Sequence, residues 1–198
     1  MKTTTLKTNT ARAVISRWSR RPQARALFVP AFFFLCLTAG VAWAGDSIAE
    51  AGDVLQFVLP ATAAGLTLGY RDGQGALQFG ESAALTLGVT YGLKYTVNER
   101  RPNGDRQSFP SGHTSISFSS AEFIGKRYGW EYGVPAYAAA SFVAYSRVES
   151  GQHHPHDVLA GASIGIVSSY IFTRPYKGWT VQADADGRYY GLRFSRAW

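Results

Sequence analysis

Five apolar stretches of helical length, at about 52–69, 81–97, 111–128, 133–147 and 155–173, restrict this chain to few folds. Turn signals separate them: Arg71-Asp72-Gly73-Gln74-Gly75 after the first, the polar run from Asn98 to Phe109 after the second, and Gly129 to Gly133 after the third. Ser111 suits the N-cap of the third stretch, and Pro155 the first turn of the fifth. The expected fold is all-α, a helical bundle of about five core helices within residues 45–175. Each helix would run roughly 22–29 Å, near the thickness of a bilayer core. Gly, Ser, Thr and a few charges dilute most of them, and Glu122, Lys126 and Arg127 argue against a lipid-facing third helix. Hydropathy leaves a soluble bundle and a membrane-associated one open, with the balance slightly toward the second.

The two ends read differently. Residues 1–44 carry seven basic side chains (Lys2, Lys7, Arg12, Arg17, Arg20, Arg21, Arg25) and no acid. The remainder holds 13 basic and 13 acidic groups, so the net charge of +7 belongs to the first segment and makes no case for nucleic acid as a partner. An apolar run from Ala26 to about Val41 follows, then Ala42-Trp43-Ala44, with small residues where a signal peptidase cuts. The run is shorter than the ~20 residues of a typical span, so a cleaved export signal is expected at 1–44, with an uncleaved N-terminal anchor as the alternative. Cys36, the sole cysteine, lies in that run, so the mature chain must hold its core without a disulfide. From Trp179 to Phe194 the residues alternate around Asp186-Gly187, which predicts a β-hairpin in a tail at 176–198.

Chemistry gathers in three clusters. Lys94 and Arg101 are seven residues apart, about two helical turns, so a helix through both aims two cations at one anion; cations at a helix C-terminus also simply complement its dipole. Pro110-Ser111-Gly112-His113 enters a helix, where free N–H groups favour a phosphate, Gly112 admits it to the backbone and His113 offers a proton. A serine cap beside a surface histidine is the plainer reading. Ser146-Arg147 is followed by His153 and, four residues on, by Asp157. A helical turn reaching back to His153 puts imidazole and carboxylate on one face and fixes the tautomer whose other nitrogen attacks, while Arg147 offers a planar fork to phosphate; a structural ion pair is the alternative.

All four histidines, His113, His153, His154 and His156, lie in or beside these clusters. His-His-Pro-His-Asp looks like a metal cluster in composition, yet consecutive ligands ahead of a proline promise poor geometry for one ion. No metal is therefore expected, and His154 and His156 are read as contacts behind the nucleophile or as solvent-facing cap residues. Arg100 and Arg106 either extend the anionic site or merely solvate the loop.

In order and spacing these residues resemble the type 2 phosphatidic acid phosphatases, with their relatives the bacterial acid phosphatases and vanadium haloperoxidases. The shared pattern is Lys, six residues, Arg-Pro; then Pro-Ser-Gly-His; then Ser-Arg, five residues, His, three residues, Asp. The chain matches every fixed position across about 94–157. The resemblance implies a bundle in which His153 is the nucleophile, Asp157 its orienting partner and His113 the acid for the leaving oxygen. Lys94, Arg101, Ser111, Gly112 and Arg147 would bind the phosphate, with no cofactor. It further implies metal-independent hydrolysis of a phosphate monoester or pyrophosphate through a phosphohistidine. The leader and the apolar helices, with the resemblance, favour a phosphorylated envelope lipid or isoprenoid carrier on the periplasmic side, with inner-membrane association. The alternatives are a soluble periplasmic acid phosphatase, a vanadate-dependent haloperoxidase and a non-enzymatic envelope-binding protein. A neutral His153 and a protonated His113 together predict a bell-shaped pH profile.

Overall fold

The computed structural model describes residues 48–176 and the backbone of 179–185 and 190–196, so the expected export segment lies outside the described residues. Each apolar stretch is a helix: α1 (Ile48–Gly69), α2 (Gly73–Val97), α3 (Gly112–Tyr128), α4 (Trp130–Glu149) and α5 (Pro155–Phe172). Ser111 caps α3 by accepting the Thr114 N–H at 3.4 Å. Helix α2 starts well before the apolar pattern does, because the Asp72 carboxylate accepts the Gly75 N–H at 2.9 Å and so turns the supposed breaker into a cap. It stops at Asn98, whose φ of 47° is left-handed.

Two kinds of packing hold the helices together. Leu59, Ala63 and Leu66 of α1 meet Ala121, Phe123 and Ile124 of α3 and Ala136, Ala139 and Ala140 of α4 in an apolar core. The other seam is hydroxylic. Ser82, Thr86, Thr90 and Lys94, four residues apart along α2, are all buried, and Thr90 and Thr86 donate to Ser115 and Ser119 of α3 at 2.9 and 3.1 Å. Helix α5, which also packs on α2, approaches α3 so closely that a Cβ at Gly161 would stand 2.5 Å from the Ser111 carbonyl, and one at Gly165 2.2 Å from that of Ser115. Small residues spaced by four, packing backbone to backbone, are the device helices use where apolar burial cannot drive association.

Large apolar side chains accordingly face outward, among them Phe57, Leu68, Leu159, Tyr170 and Ile171. Helix α1 is long and apolar enough to cross a membrane. The three charges that argued against a lipid-facing α3 are satisfied within the protein. Arg127 is buried on Asp72, Glu122 accepts the Tyr137 hydroxyl, and Lys126 lies over the Tyr170 ring, donating to the Tyr170 carbonyl at 2.7 Å. Beyond the helices, β1 (Trp179–Ala185) and β2 (Tyr190–Arg196) pair antiparallel, Trp179 opposite Arg196 and Ala185 opposite Tyr190; the Asp186-Gly187 turn lies outside the described residues.

Candidate active site

The site forms where α2 ends and α3 and α5 begin. His153 precedes α5 rather than riding on it, since the helix starts at Pro155. The expected shared helical face is therefore replaced by a carboxylate turned back on the chain entering the helix. Asp157 Oδ2 accepts the His154 N–H at 2.9 Å and the Ser108 hydroxyl at 2.5 Å, and lies 3.4 Å from His153 Nδ1. Contact through Nδ1 leaves Nε2 of His153 as the nitrogen free to act. His153 and Asp157 are almost wholly buried, and the Ser111 N–H donates to the Asp157 carbonyl at 3.0 Å, which ties the first turns of α3 and α5 together.

A cleft of about 500 Å³ brings together Lys94, Arg101, Gly112, His113 and His153. Lys94 reaches it from the last turn of α2, donating to the Gln107 carbonyl at 2.7 Å. Arg101 does not share a helix face with Lys94, because α2 has already ended at Val97; the following loop folds back to bring the two cations together. Arg101 donates through Nη1 to Gln152 at 3.1 Å, and among the described residues its buried Nε has no hydrogen-bond partner. Gly112 opens α3, whose first N–H groups take no helical partner. Ser111 is buried behind it as the cap.

Arg147 does not line the cleft. Its Nη1 holds Asp53 at 2.6 Å and its Nη2 the Ala49 carbonyl at 2.5 Å, both on α1. That approach needs Gly52, where a Cβ would stand 2.7 Å from Arg147 Nη2. The same Asp53 oxygen lies 3.0 Å from His113 Nε2, so this carboxylate bridges the imidazole and the guanidinium.

Burial, reinforced by Lys94 and Arg101, pulls His153 down to about 4 against the attraction of Asp157. The imidazole is thus neutral, as a nucleophile requires. Burial and Arg147 also lower His113, with Asp53 opposing. Burial beside Arg101 brings Lys94 down to about 8. Burial works to raise Asp157, but the hydrogen bonds from Ser108 and the His154 N–H, with His153 and His156 near, hold it below the usual carboxylate range.

Asp53 and Ser108 escaped the sequence reading. Asp53 had a signal, as the sole charge in an otherwise apolar 52–69. Ser108 had none, being one hydroxyl in a polar loop. The consecutive pair His153-His154 ahead of the proline, on which the expectation of poor metal geometry rested, does not form a ligand group, but a different set of side chains does converge. Because the proline starts the helix, one ligand atom each from Glu99, His154, His156 and Asp157 come within 4.8 Å of one another.

Comparison with known proteins identifies the family. Residues 75–180 match the family model of the PAP2 superfamily. The lipid A 4'-phosphatase of Helicobacter pylori is 34% identical over 75% of this chain and 84% of its own length. The lipid A 1-phosphatase of Porphyromonas gingivalis is 39% identical over 46% of this chain, but only 23% of its own length is matched. The undecaprenyl-diphosphatase BcrC of Bacillus subtilis is 31% identical over 41% of this chain and 42% of its own. The crystal structure of Aquifex aeolicus LpxE shares the fold, with a TM-score of 0.51 over 77% of this chain and 87% of that one, at 24% identity. On the family match, the extent of the Helicobacter pylori relative and the fold together, the chain belongs to the PAP2 superfamily and is a phosphatase of that type.

Proposed function

We propose that this chain removes phosphate from a phosphorylated envelope lipid, the phosphoryl group passing through His153. The observation that carries the lipid preference is a cleft with two characters. Lys94, Arg101 and two imidazoles line part of it, while Phe57, Leu87 and Tyr91 line another part and are solvent-exposed. A phosphate attached to a hydrocarbon-bearing molecule engages both, whereas a small soluble ester uses only the charged part. Among relatives named for lipid A and undecaprenyl diphosphate, the lipid A 4'-phosphatase matches over the greater length, so a lipid A type phosphate leads and an isoprenoid diphosphate follows. The basic and apolar segment before Gly45 supports an exported protein working at the periplasmic side of the envelope.

In the first step His153 Nε2 attacks phosphorus, the ester P–O bond breaks, and His113 gives its proton to the leaving oxygen. In the second, water attacks the phosphohistidine, the N–P bond breaks and His113 takes the proton back. Lys94, Arg101 and the N–H groups at Gly112 and His113, fixed by the Ser111 cap, stabilise charge on the equatorial oxygens. Arg147 joins them when the substrate's phosphate replaces Asp53 as its partner, a like-for-like exchange of anions.

Phosphate release by the purified full chain in micelles, compared across lipid A, undecaprenyl diphosphate and a soluble phosphomonoester, tests the reading. A lipid phosphate should lead in kcat/KM by about tenfold or more, the scale at which apolar contacts discriminate. Turnover of the soluble ester alone would remove the lipid preference and leave the phosphatase. The pH dependence follows from the site. His113 serves as acid only when protonated, and its pKa lies below the usual 6.5, so kcat/KM should already be falling by pH 6.5. Loss of the Lys94 charge should steepen that fall above about pH 8, and Lys94→Met should abolish the steepening. A rate that holds level up to pH 8 would take the His113 proton out of the mechanism.

A further inference from the structure

Beside His153, the Glu99 loop and the first turn of α5 gather a group of titratable side chains of which only Asp157 has a part in the proposed reaction. Glu99, from the loop after α2, places Oε1 3.0 Å from His156 Nε2 and 3.8 Å from His154 Nδ1. Asp157 closes the group, with Oδ1 3.2 Å from His156 Nε2 and Oδ2 3.4 Å from His154 Nδ1. The two imidazoles stack with centroids 5.1 Å apart and planes 9° from parallel, so both present a nitrogen to the same pair of carboxylates.

Ion pairing alone leaves this arrangement unsatisfied. Asp157 is fully buried, yet among the described residues its Oδ1 accepts no well-directed hydrogen bond, and the buried Nδ1 of His154 makes none either, despite the ion-pair distances above. A buried carboxylate oxygen without a directed hydrogen bond is costly, and two stacked imidazolium rings would repel each other. Two neutral imidazoles around a cation resolve both difficulties. Ligands bound at the usual 2.0–2.2 Å to a tetrahedral ion stand roughly 3.3 Å apart; here the imidazole–carboxylate distances are 3.0–3.8 Å, and one ligand atom from each residue lies within 4.8 Å of the others, so a small inward movement completes the site.

We propose that Glu99, His154, His156 and Asp157 form a binding site for a divalent transition cation of the Zn2+ class. Two imidazole nitrogens with two carboxylates suit such an ion and not Mg2+ or Ca2+, which take oxygen ligands in larger number. His156 and Glu99 are partly exposed and provide the way in. The ion fastens the Glu99 loop to the start of α5. By drawing charge from Asp157 it also weakens that carboxylate's hold on His153 and lowers kcat; this consequence, unlike the binding, rests on Asp157 serving His153 as proposed above.

Calorimetric titration of the untagged full chain in micelles, freed of metal by chelation, tests the site with Zn2+ alone. One ion per chain should bind in the micromolar range or tighter, raise the melting temperature, and not be displaced by millimolar Mg2+. His156→Ala and Glu99→Gln should each weaken binding about tenfold or more. Both should retain metal-free melting and metal-free phosphate release, which certifies their fold. Absence of saturable Zn2+ binding, or equal affinity in wild type and both variants, overturns the site. Binding that leaves wild-type kcat unchanged overturns the coupling to Asp157.

Discussion

His153→Ala is expected to lose phosphatase activity by about 10⁴-fold or more while keeping its fold, since removing the proposed covalent nucleophile leaves only electrostatic and binding contributions. Its surroundings suit it to this role. The ring is buried, neutral down to about pH 4, held on one side by Asp157 and open on the other to a cleft with two cations. The variant should still bind phosphate, because Lys94, Arg101 and the start of α3 are untouched, so product inhibition measured by competition provides a control. Rapid quenching in base, where phosphohistidine survives, should capture labelled phosphate on wild-type protein and none on His153→Ala. Asp157→Asn separates attack from orientation. It should label slowly and turn over slowly, because the amide cannot fix the same tautomer while supporting the positive charge that develops. Normal turnover by His153→Ala would assign the attack to water or another group.

The bundle was legible in the sequence because the five stretches obey helical punctuation, from Ser111 as cap to Pro155 in a first turn. What escaped was set by packing. The four-residue spacing of Gly161 and Gly165 is written in the sequence, but nothing local says that α3 is the helix they meet; that is set by the proximity of two backbones. The order of the site residues could be read, but not their placement. Arg101 and His153 stand in the loops beside α2 and α5, in keeping with the breaks read at Asn98 and Pro155, so the helical faces they could have shared with Lys94 and Asp157 do not form. Local pattern carries chemistry that neighbours in sequence share. It is silent on Asp53 and Arg147, which meet across 94 positions, and on Ser108 and Asp157, which meet across 49.

Long-range pairing also decides where the bundle is most vulnerable, and Asp72→Ala should destabilise it by about 3–5 kcal/mol, the usual cost of stripping a buried charge of its partner. Arg127 grips Asp72 through Nη2 at 2.5 Å and Nε at 2.7 Å, and the Tyr128 hydroxyl adds a bond to the same carboxylate at 3.0 Å. The carboxylate also caps α2, while Arg127 Nη1 reaches the Arg174 carbonyl at 2.7 Å, so one ion pair fastens α2, α3 and the chain leaving α5. For a chain of this size the loss corresponds to a melting temperature lower by roughly 6–20 °C. Replacing both partners, Asp72→Ala with Arg127→Met, should recover much of it, because no buried charge is then left alone. The pH dependence has a definite sign. Burial tends to raise the Asp72 carboxyl, but Arg127, the Gly75 N–H and Tyr128 outweigh it and hold the pKa below its ordinary value of 3.8. The contribution is therefore complete above the unfolded pKa and fades as pH falls through the lower folded one. Asp72 and Lys94 lie at opposite ends of α2, about 30 Å apart, so kcat at a temperature where the variant stays folded should match wild type. A variant that melts with wild type would mean that the pair only breaks even against its desolvation, and the apolar core of α1, α3 and α4 would then carry the stability of that end.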